Sequence, residues 1–149
     1  VNESVDVVTV RAADTYELRR TVLRKATPSS AVAYAGDDDP ETRHLAVRAG
    51  RRILAVSTWI PAPLPGEPDV PGLQLRGMAT APGARGRGYG TALLEAGRRR
   101  AEKLDVGVLW ARARSSALSF YVERGFEAVG DDFIDDTSGL PHRLVRLTP

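Results

Sequence analysis

The stretch Met78-Ala-Thr-Ala-Pro-Gly-Ala-Arg-Gly-Arg-Gly-Tyr-Gly-Thr91 carries the chain from an extended segment into a helix. Before it, Leu73 to Ala79 reads as a strand, closed by Pro82. After it, Gly88 to Leu104 reads as a helix with Leu93, Leu94, Ala101 and Leu104 on its inward face and the small Gly97 among them. A helix start presents unpaired backbone N–H groups and a partial positive charge. Glycines let that backbone come close to a bound phosphate. The segment therefore predicts a phosphate or pyrophosphate cradle. Gly83 and Gly88 have the spacing of a P-loop, but Tyr89 stands where its lysine is required. Gly86 and Gly88 begin a dinucleotide fingerprint, but Thr91 replaces its third glycine.

Outward from this turn the chain alternates between element types. Val5-Asp-Val-Val-Thr-Val10 reads as a strand, and Asp14 or Thr15 caps a helix to about Lys25 with Leu18, Val22 and Leu23 inward. Thr27 to Pro40 reads as a loop. His44–Arg48 and Arg52–Trp59 form a hairpin across Ala49-Gly50. Pro61 to Pro71 holds five prolines and reads as a long irregular connection. Val106 to Ala113 is a strand, and Ser116 to Val122 a short helix stopped by Gly125. Phe126–Phe133 and Arg143–Leu147 are the final strands. This order predicts an α/β domain with a mixed sheet, a single domain over 1–149.

Composition narrows the function. With 149 residues, 42% hydrophobic and 27% charged, the chain suits a folded domain. It has no cysteine, which excludes disulfides, thiolate zinc sites and a cysteine nucleophile. No apolar run approaches the ~20 residues of a membrane span. Glu3 and Asp6 argue against a signal peptide over Val1 to Val10, so a cytoplasmic protein is expected, with no membrane partner. Between Arg85 and Arg114 eight basic residues face three acids, which favours an anionic ligand. Nucleic acid is a poor candidate for it, because aromatics are only 6% and the basic run lacks the interleaved stacking residues of RNA-binding sheets.

A more specific pattern lies inside the turn. Arg85-x-x-Gly88-x-Gly90 resembles the coenzyme-binding loop of the GNAT N-acetyltransferases. About 30 residues on, Ala117-Leu-Ser-Phe-Tyr-Val-Glu-Arg-Gly-Phe126 is similar to that family's next motif. Together the two span about a third of the chain. The resemblance implies a mixed, mostly antiparallel sheet of six to seven strands, its central strands splayed at a bulge, flanked by helices. It implies acetyl-coenzyme A as co-substrate, no metal, and direct transfer to an amine in a ternary complex. Met78, Ala79 and Thr80 would hold the pantetheine arm. Arg85, Gly86, Arg87, Gly88, Tyr89 and Gly90 would take the pyrophosphate, with a hydroxyl from Thr91. Tyr121 would be the general acid for the leaving thiolate.

The sequence also departs from that pattern. Arg114 stands where many members carry an asparagine among the coenzyme-binding residues, so either a hydrogen bond to the pantetheine arm is lost or Ser115 or Ser116 supplies it. The strand Leu73–Ala79 has no carboxylate, only Gln74 and Arg76. The base would then be a water, Asp131, Asp132 or His142. Arg76 would suit an acceptor with a carboxylate, and Gln74 and His142 are its candidate companions. The acceptor itself, a small-molecule or peptide amine, is not encoded in any motif; the loops at Thr27–Pro40 and Pro61–Pro71 are expected to shape its pocket. A homodimer is compatible with the family. The missing carboxylate and asparagine leave a second reading, a non-catalytic acyl-coenzyme A-binding module.

Three further features read more simply. Asp131-Asp-Phe-Ile-Asp-Asp136 has a magnesium-diphosphate spacing but falls on a strand and turn, so a polar turn or the rim of the acceptor site is expected. Trp59 and Trp110 read as core. Arg98-Arg-Arg100 reads as a solvated helix face, or as an attraction for the coenzyme 3′-phosphate.

Overall fold

A computed structural model describes residues 5–25, 27 and 31–149. Residues Val1 to Ser4, at the expected start of the chain, and Pro28 to Ser30 of the expected loop lie outside them. Seven strands form one sheet in the order β1-β2-β3-β4-β5-β7-β6. They are β1 (Asp6–Val10), β2 (Arg43–Ala49), β3 (Arg52–Pro61), β4 (Gly72–Thr80), β5 (Val108–Arg114), β6 (Glu127–Ile134) and β7 (Pro141–Leu147). Every pairing is antiparallel except β4 with β5, as the resemblance implied.

The parallel pair is short. Its rungs run from Gly72↔Val108 to Leu75↔Ala111 and then stop, although β4 continues to Thr80 and β5 to Arg114. The cause lies on the other edge of β4. Val56 pairs with Ala79 and Thr58 with Arg76, so Gly77 and Met78 together stand opposite Ser57. Gly77 has φ +63°, the left-handed conformation that such a bulge requires at little cost only from glycine. The bulge bends β4 away from β5 and opens a gap between them.

Each face of the sheet is covered. Helix α2 (Tyr89–Leu104) and the short α3 (Leu118–Glu123) cover one side. Their apolar residues join Trp59, Leu73, Leu75, Leu109, Ala111 and Val145 in the main core. Gly97 lies directly against Trp59, which is 0% exposed and donates its Nε1–H to Ser57 Oγ at 2.9 Å. The other side carries a helical segment, α1. It consists of a 3₁₀ turn (Ala12–Thr15), one α turn (Tyr16–Leu18) and a π turn (Arg19–Leu23). Its Leu18 packs on Ala46, Val56 and Ala79.

Three expectations change. The regular helix to Lys25 is instead this mixed segment, widened where Arg19 enters the interior; the Arg24 N–H donates to the Arg19 carbonyl at 3.0 Å. The Pro61–Pro71 connection does not shape the cleft at the β4–β5 gap. It turns at the opposite end of β4, where Leu64 is buried with Val108 and Trp110, and Trp110 Nε1–H holds the Ala62 carbonyl at 2.8 Å. The Arg98–Arg100 face is only partly solvated, because Arg100 donates to Glu41 at 3.0 Å with its side chain 14% exposed.

Candidate active site

The gap between β4 and β5 opens into a cleft of about 490 Å³. Gln74, Arg76 and Met78 reach it from β4, and Arg112 and Arg114 from β5. Tyr121 enters from α3, His142 from β7, and Tyr34 from the loop before β2. Of the residues singled out in the sequence, Gln74, Arg76, Met78, Arg114, Tyr121 and His142 therefore meet in one place.

Tyr121 is 8% exposed and sits edge-on between Phe120 and Phe126, with ring centroids 5.3 and 5.4 Å away. Burial pushes its phenol up to about 12, so the hydroxyl stays a proton donor throughout the neutral range. Around it, Phe120 and Phe126 fix the ring in position, a packed core contact that also aims the hydroxyl.

The glycine-rich turn lies just beyond β4. A 3₁₀ turn (Pro82–Ala84) leads to Gly86 and Gly88, with φ +77° and +80°, and Gly88 caps α2. A methyl group built on Gly86 or Gly88 would meet nothing within 4 Å, so both face open space. Arg85 and Arg87 are exposed beside them. This open backbone at the start of a 16-residue helix fits an anionic diphosphate. The turn is tied to α3: Gly90 packs under Phe120, and Arg124 donates to Thr91 Oγ1 at 2.8 Å and to the Phe120 carbonyl at 2.8 Å. The Thr91 hydroxyl thus already accepts one hydrogen bond and keeps its own proton to donate. Ala79 turns its side chain into the core beneath α1 and offers only backbone to a ligand.

Neither serine lines the cleft: Ser116 is exposed, and Ser115 has a buried Oγ without a hydrogen-bond partner among the described residues. Arg114 donates to the Leu23 carbonyl and closes the cleft against α1.

His142 Nδ1 lies 2.9 Å from the Leu140 carbonyl. A carbonyl can only accept, so Nδ1 carries a proton, and in the neutral ring Nε2 is the nitrogen with the lone pair. Asp131 and Asp132 stand elsewhere. Val129 pairs with Leu144 and Phe133 with His142, so Gly130, Asp131 and Asp132 bulge outward together, and both aspartates are exposed. The phase change brings Asp135 and Asp136 to the cleft rim instead. Burial alone would raise the Asp135 carboxyl, but the hydrogen bonds from Ser138 outweigh it and hold the group below its usual range. Among the described residues no three His, Asp or Glu side chains stand together as a metal site would require.

The wall facing these groups is cationic and aromatic. Tyr34 has the Arg19 guanidinium 3.8 Å from its ring centroid and that of Arg76 at 4.2 Å. Arg19 is 0% exposed, donating to both Asp37 carboxylate oxygens at 2.9 and 3.1 Å, to Thr58 Oγ1 at 2.7 Å and to the Val32 carbonyl at 2.7 Å. His44 completes the network: its Nε2–H donates to the Asp37 carbonyl at 3.0 Å, and its Nδ1 is hydrogen-bonded with the Thr58 hydroxyl at 2.8 Å. The sequence places Tyr34 and Asp37 here only as part of the Thr27–Pro40 loop, and it gives Arg19, Arg24 and Arg112 no place in this site. Only the alternation of Trp110, Arg112 and Arg114 along β5 could have pointed to Arg112.

Residues 12–126 match the acetyltransferase (GNAT) family. The chain belongs to that family. It is 26% identical over 141 residues to the uncharacterized N-acetyltransferase YitI of Bacillus subtilis (strain 168), covering 95% of this chain and 93% of the relative. In fold it is similar to an acyl-CoA N-acyltransferase from Pseudomonas aeruginosa, with TM-score 0.76 and 24% identity over 96% of this chain and 99% of the other. FeeM, an N-acyl amino acid synthase from uncultured soil microbes, has the same fold, with TM-score 0.82, 12% identity, and coverage of 99% and 93%. The protein is thus a GNAT N-acetyltransferase, of a family that uses acyl-coenzyme A and acts on amines. No helix among the described residues is long and apolar enough to cross a membrane.

Proposed function

We propose that this GNAT enzyme transfers an acetyl group from acetyl-coenzyme A to the amine of a small-molecule or peptide acceptor by direct attack in a ternary complex. One observation carries the reading: a buried, protonated phenol, Tyr121, faces the gap between two strands that stop pairing beside an open helix N-terminus. The backbone of Met78 to Thr80, bent away from β5, offers free groups to an extended pantetheine arm. The Arg85–Gly90 backbone and the start of α2 hold the pyrophosphate.

When bound, acetyl-coenzyme A supplies a thioester whose carbonyl carbon accepts the amine nitrogen. His142 Nε2 takes the proton that the amine nitrogen loses as the N–C bond forms. As the C–S bond breaks, the Tyr121 hydroxyl gives its proton to the departing sulfur, and solvent then restores it. Backbone N–H groups at the β4 bulge oppose the negative charge that builds on the carbonyl oxygen. The absence of cysteine from the chain agrees with transfer without a thioester-linked enzyme intermediate.

Calorimetric titration with acetyl-coenzyme A and a thiol-release assay over an amine panel test this reading. Tyr121→Phe should lower kcat by about 10²-fold and leave the affinity for acetyl-coenzyme A within about twofold, since the phenol is assigned to proton transfer and not to coenzyme binding. An unchanged kcat would remove the acid role. Absence of binding at millimolar coenzyme would remove the proposal.

A further inference from the structure

We infer that the acceptor amine carries a small oxyanion, a carboxylate or a phosphate, and that Arg76 and Arg112 on the two parted strands hold it. The inference rests on the reading of the cleft as the acyl-transfer site and adds the substrate class. It starts from register. Leu75↔Ala111 is the last rung between β4 and β5, so Arg76 and Arg112 are the next residue on each strand. Leu75 and Ala111 are buried in the main core, and side chains alternate along a strand. Arg76 and Arg112 therefore leave the sheet together on the opposite side, and both line the cleft.

Charge is the second argument. Four arginines line the cleft, Arg24, Arg76, Arg112 and Arg114, against two aspartates, Asp135 and Asp136. Among the described residues none of the four is in an ion pair; the five pairs present use Arg11, Arg19, Arg100, Arg124 and Arg146. Asp135 is engaged by the Ser138 N–H. The one buried carboxylate among the described residues, Asp37, is already spanned by Arg19. Arg24 and Arg114 are partly committed as well, to the carbonyls of Ala31 and Leu23. Among the described residues Arg76 and Arg112 make only ring contacts, with Tyr34 and Trp110.

Arg76 is half-buried, and burial, with Arg112, Arg19 and Arg24 nearby, disfavours its charged form; the Tyr34 side chain opposes this. A cation held partly out of water beside other cations is costly without a counter-charge. A planar carboxylate or a phosphate matches guanidinium donors in geometry as well as sign. The coenzyme's pyrophosphate is not that counter-charge, because no residue from Arg85 to Gly90 lines the cleft. A polycationic amine would meet repulsion in the same place.

Matched amine pairs test the inference. Each of the common amino acids is compared with its carboxamide, O-phosphoethanolamine with ethanolamine, and spermidine serves as a cationic control, all by thiol release with acetyl-coenzyme A. The oxyanion member of at least one series should be favoured by about thirtyfold or more in kcat/KM, and the series that responds distinguishes carboxylate from phosphate. In Arg76→Gln and Arg112→Gln that ratio should fall toward one, with acetyl-coenzyme A affinity by calorimetry unchanged. Without coenzyme, the N-acetylated form of the preferred acceptor should bind the wild-type protein and lose about tenfold in affinity in Arg76→Gln. Ratios near one in the wild type, preference for spermidine, ratios preserved in both variants, or acetyl-coenzyme A binding with no oxyanion-bearing amine turned over would each overturn the inference and leave the acyl-transfer site standing. Failure to bind acetyl-coenzyme A would overturn the site itself.

Discussion

A methyl group placed on Gly97 would lie 2.2 Å from the Trp59 ring, far inside van der Waals contact. Glycine there lets α2 rest its backbone on the indole and keeps the main core continuous. Gly97→Ala gains about 1 kcal/mol of helix propensity but has to push α2 or Trp59 aside, and overpacking of this kind costs about 1–3 kcal/mol. With three ring atoms overlapped the cost lies at the upper end of that range, so urea unfolding should show a net loss of about 2 kcal/mol; stability equal to wild type would mean the interface is looser than the distance indicates. Gly97 was legible from helix spacing and the glycines at 86, 88 and 90 from the turn into α2, because each acts through the element in which it sits; Tyr121 was marked by the family resemblance instead. Arg19 was legible from neither. An arginine reads as solvent-facing, and only partners 18 and 39 residues away, Asp37 and Thr58, bring it inside.

The loop before β2 shows what that hidden arginine does for a whole element. Asp37 receives Arg19 through both carboxylate oxygens, and its Oδ2 also accepts the Tyr34 N–H at 2.9 Å. Tyr34 in turn lies against Gly77; a side chain at that bulge would come within 2.8 Å of the Tyr34 ring. The loop, the bulge and the π turn of α1 thus brace one another along one wall of the cleft. Asp37→Asn keeps the shape but leaves a buried guanidinium without its counter-charge, which should cost about 3–5 kcal/mol. Chemical denaturation checks the figure, and a loss below about 1 kcal/mol would show that water or the carbonyls replace the carboxylate. Strands and helices were readable here from alternation and periodicity. The bulge on β4 was expected only through the family resemblance, and that on β6 was not readable, since a bulge changes the phase of a strand without changing its composition. That is why Asp131 and Asp132 stood as candidates where the folded chain presents Asp135 and Asp136.

For the molecule as a whole, acid is the informative stress. Asp14, Asp37 and Asp135 all titrate below their ordinary 3.8 in the folded chain; for each, burial works against the shift and hydrogen bonds to the carboxylate prevail. Below about 3.8 the unfolded chain therefore takes up protons that the folded one still refuses, so stability present above that value is lost as the pH falls further. Melting temperature measured from pH 7 to pH 2 should hold and then drop below about pH 4, with a shallower drop in Asp37→Asn. A melt independent of pH down to 2.5 would contradict it. The strand order carries a different consequence. β7 is inserted between β5 and β6, yet β6 precedes it along the chain. On a ribosome, β6 emerges with no ladder to join, and β5 stays an open margin until residues 141–147 follow. A nascent polypeptide halted at that stage would display two unsatisfied backbone edges at once, the kind of surface that chaperones engage and that neighbouring copies can capture.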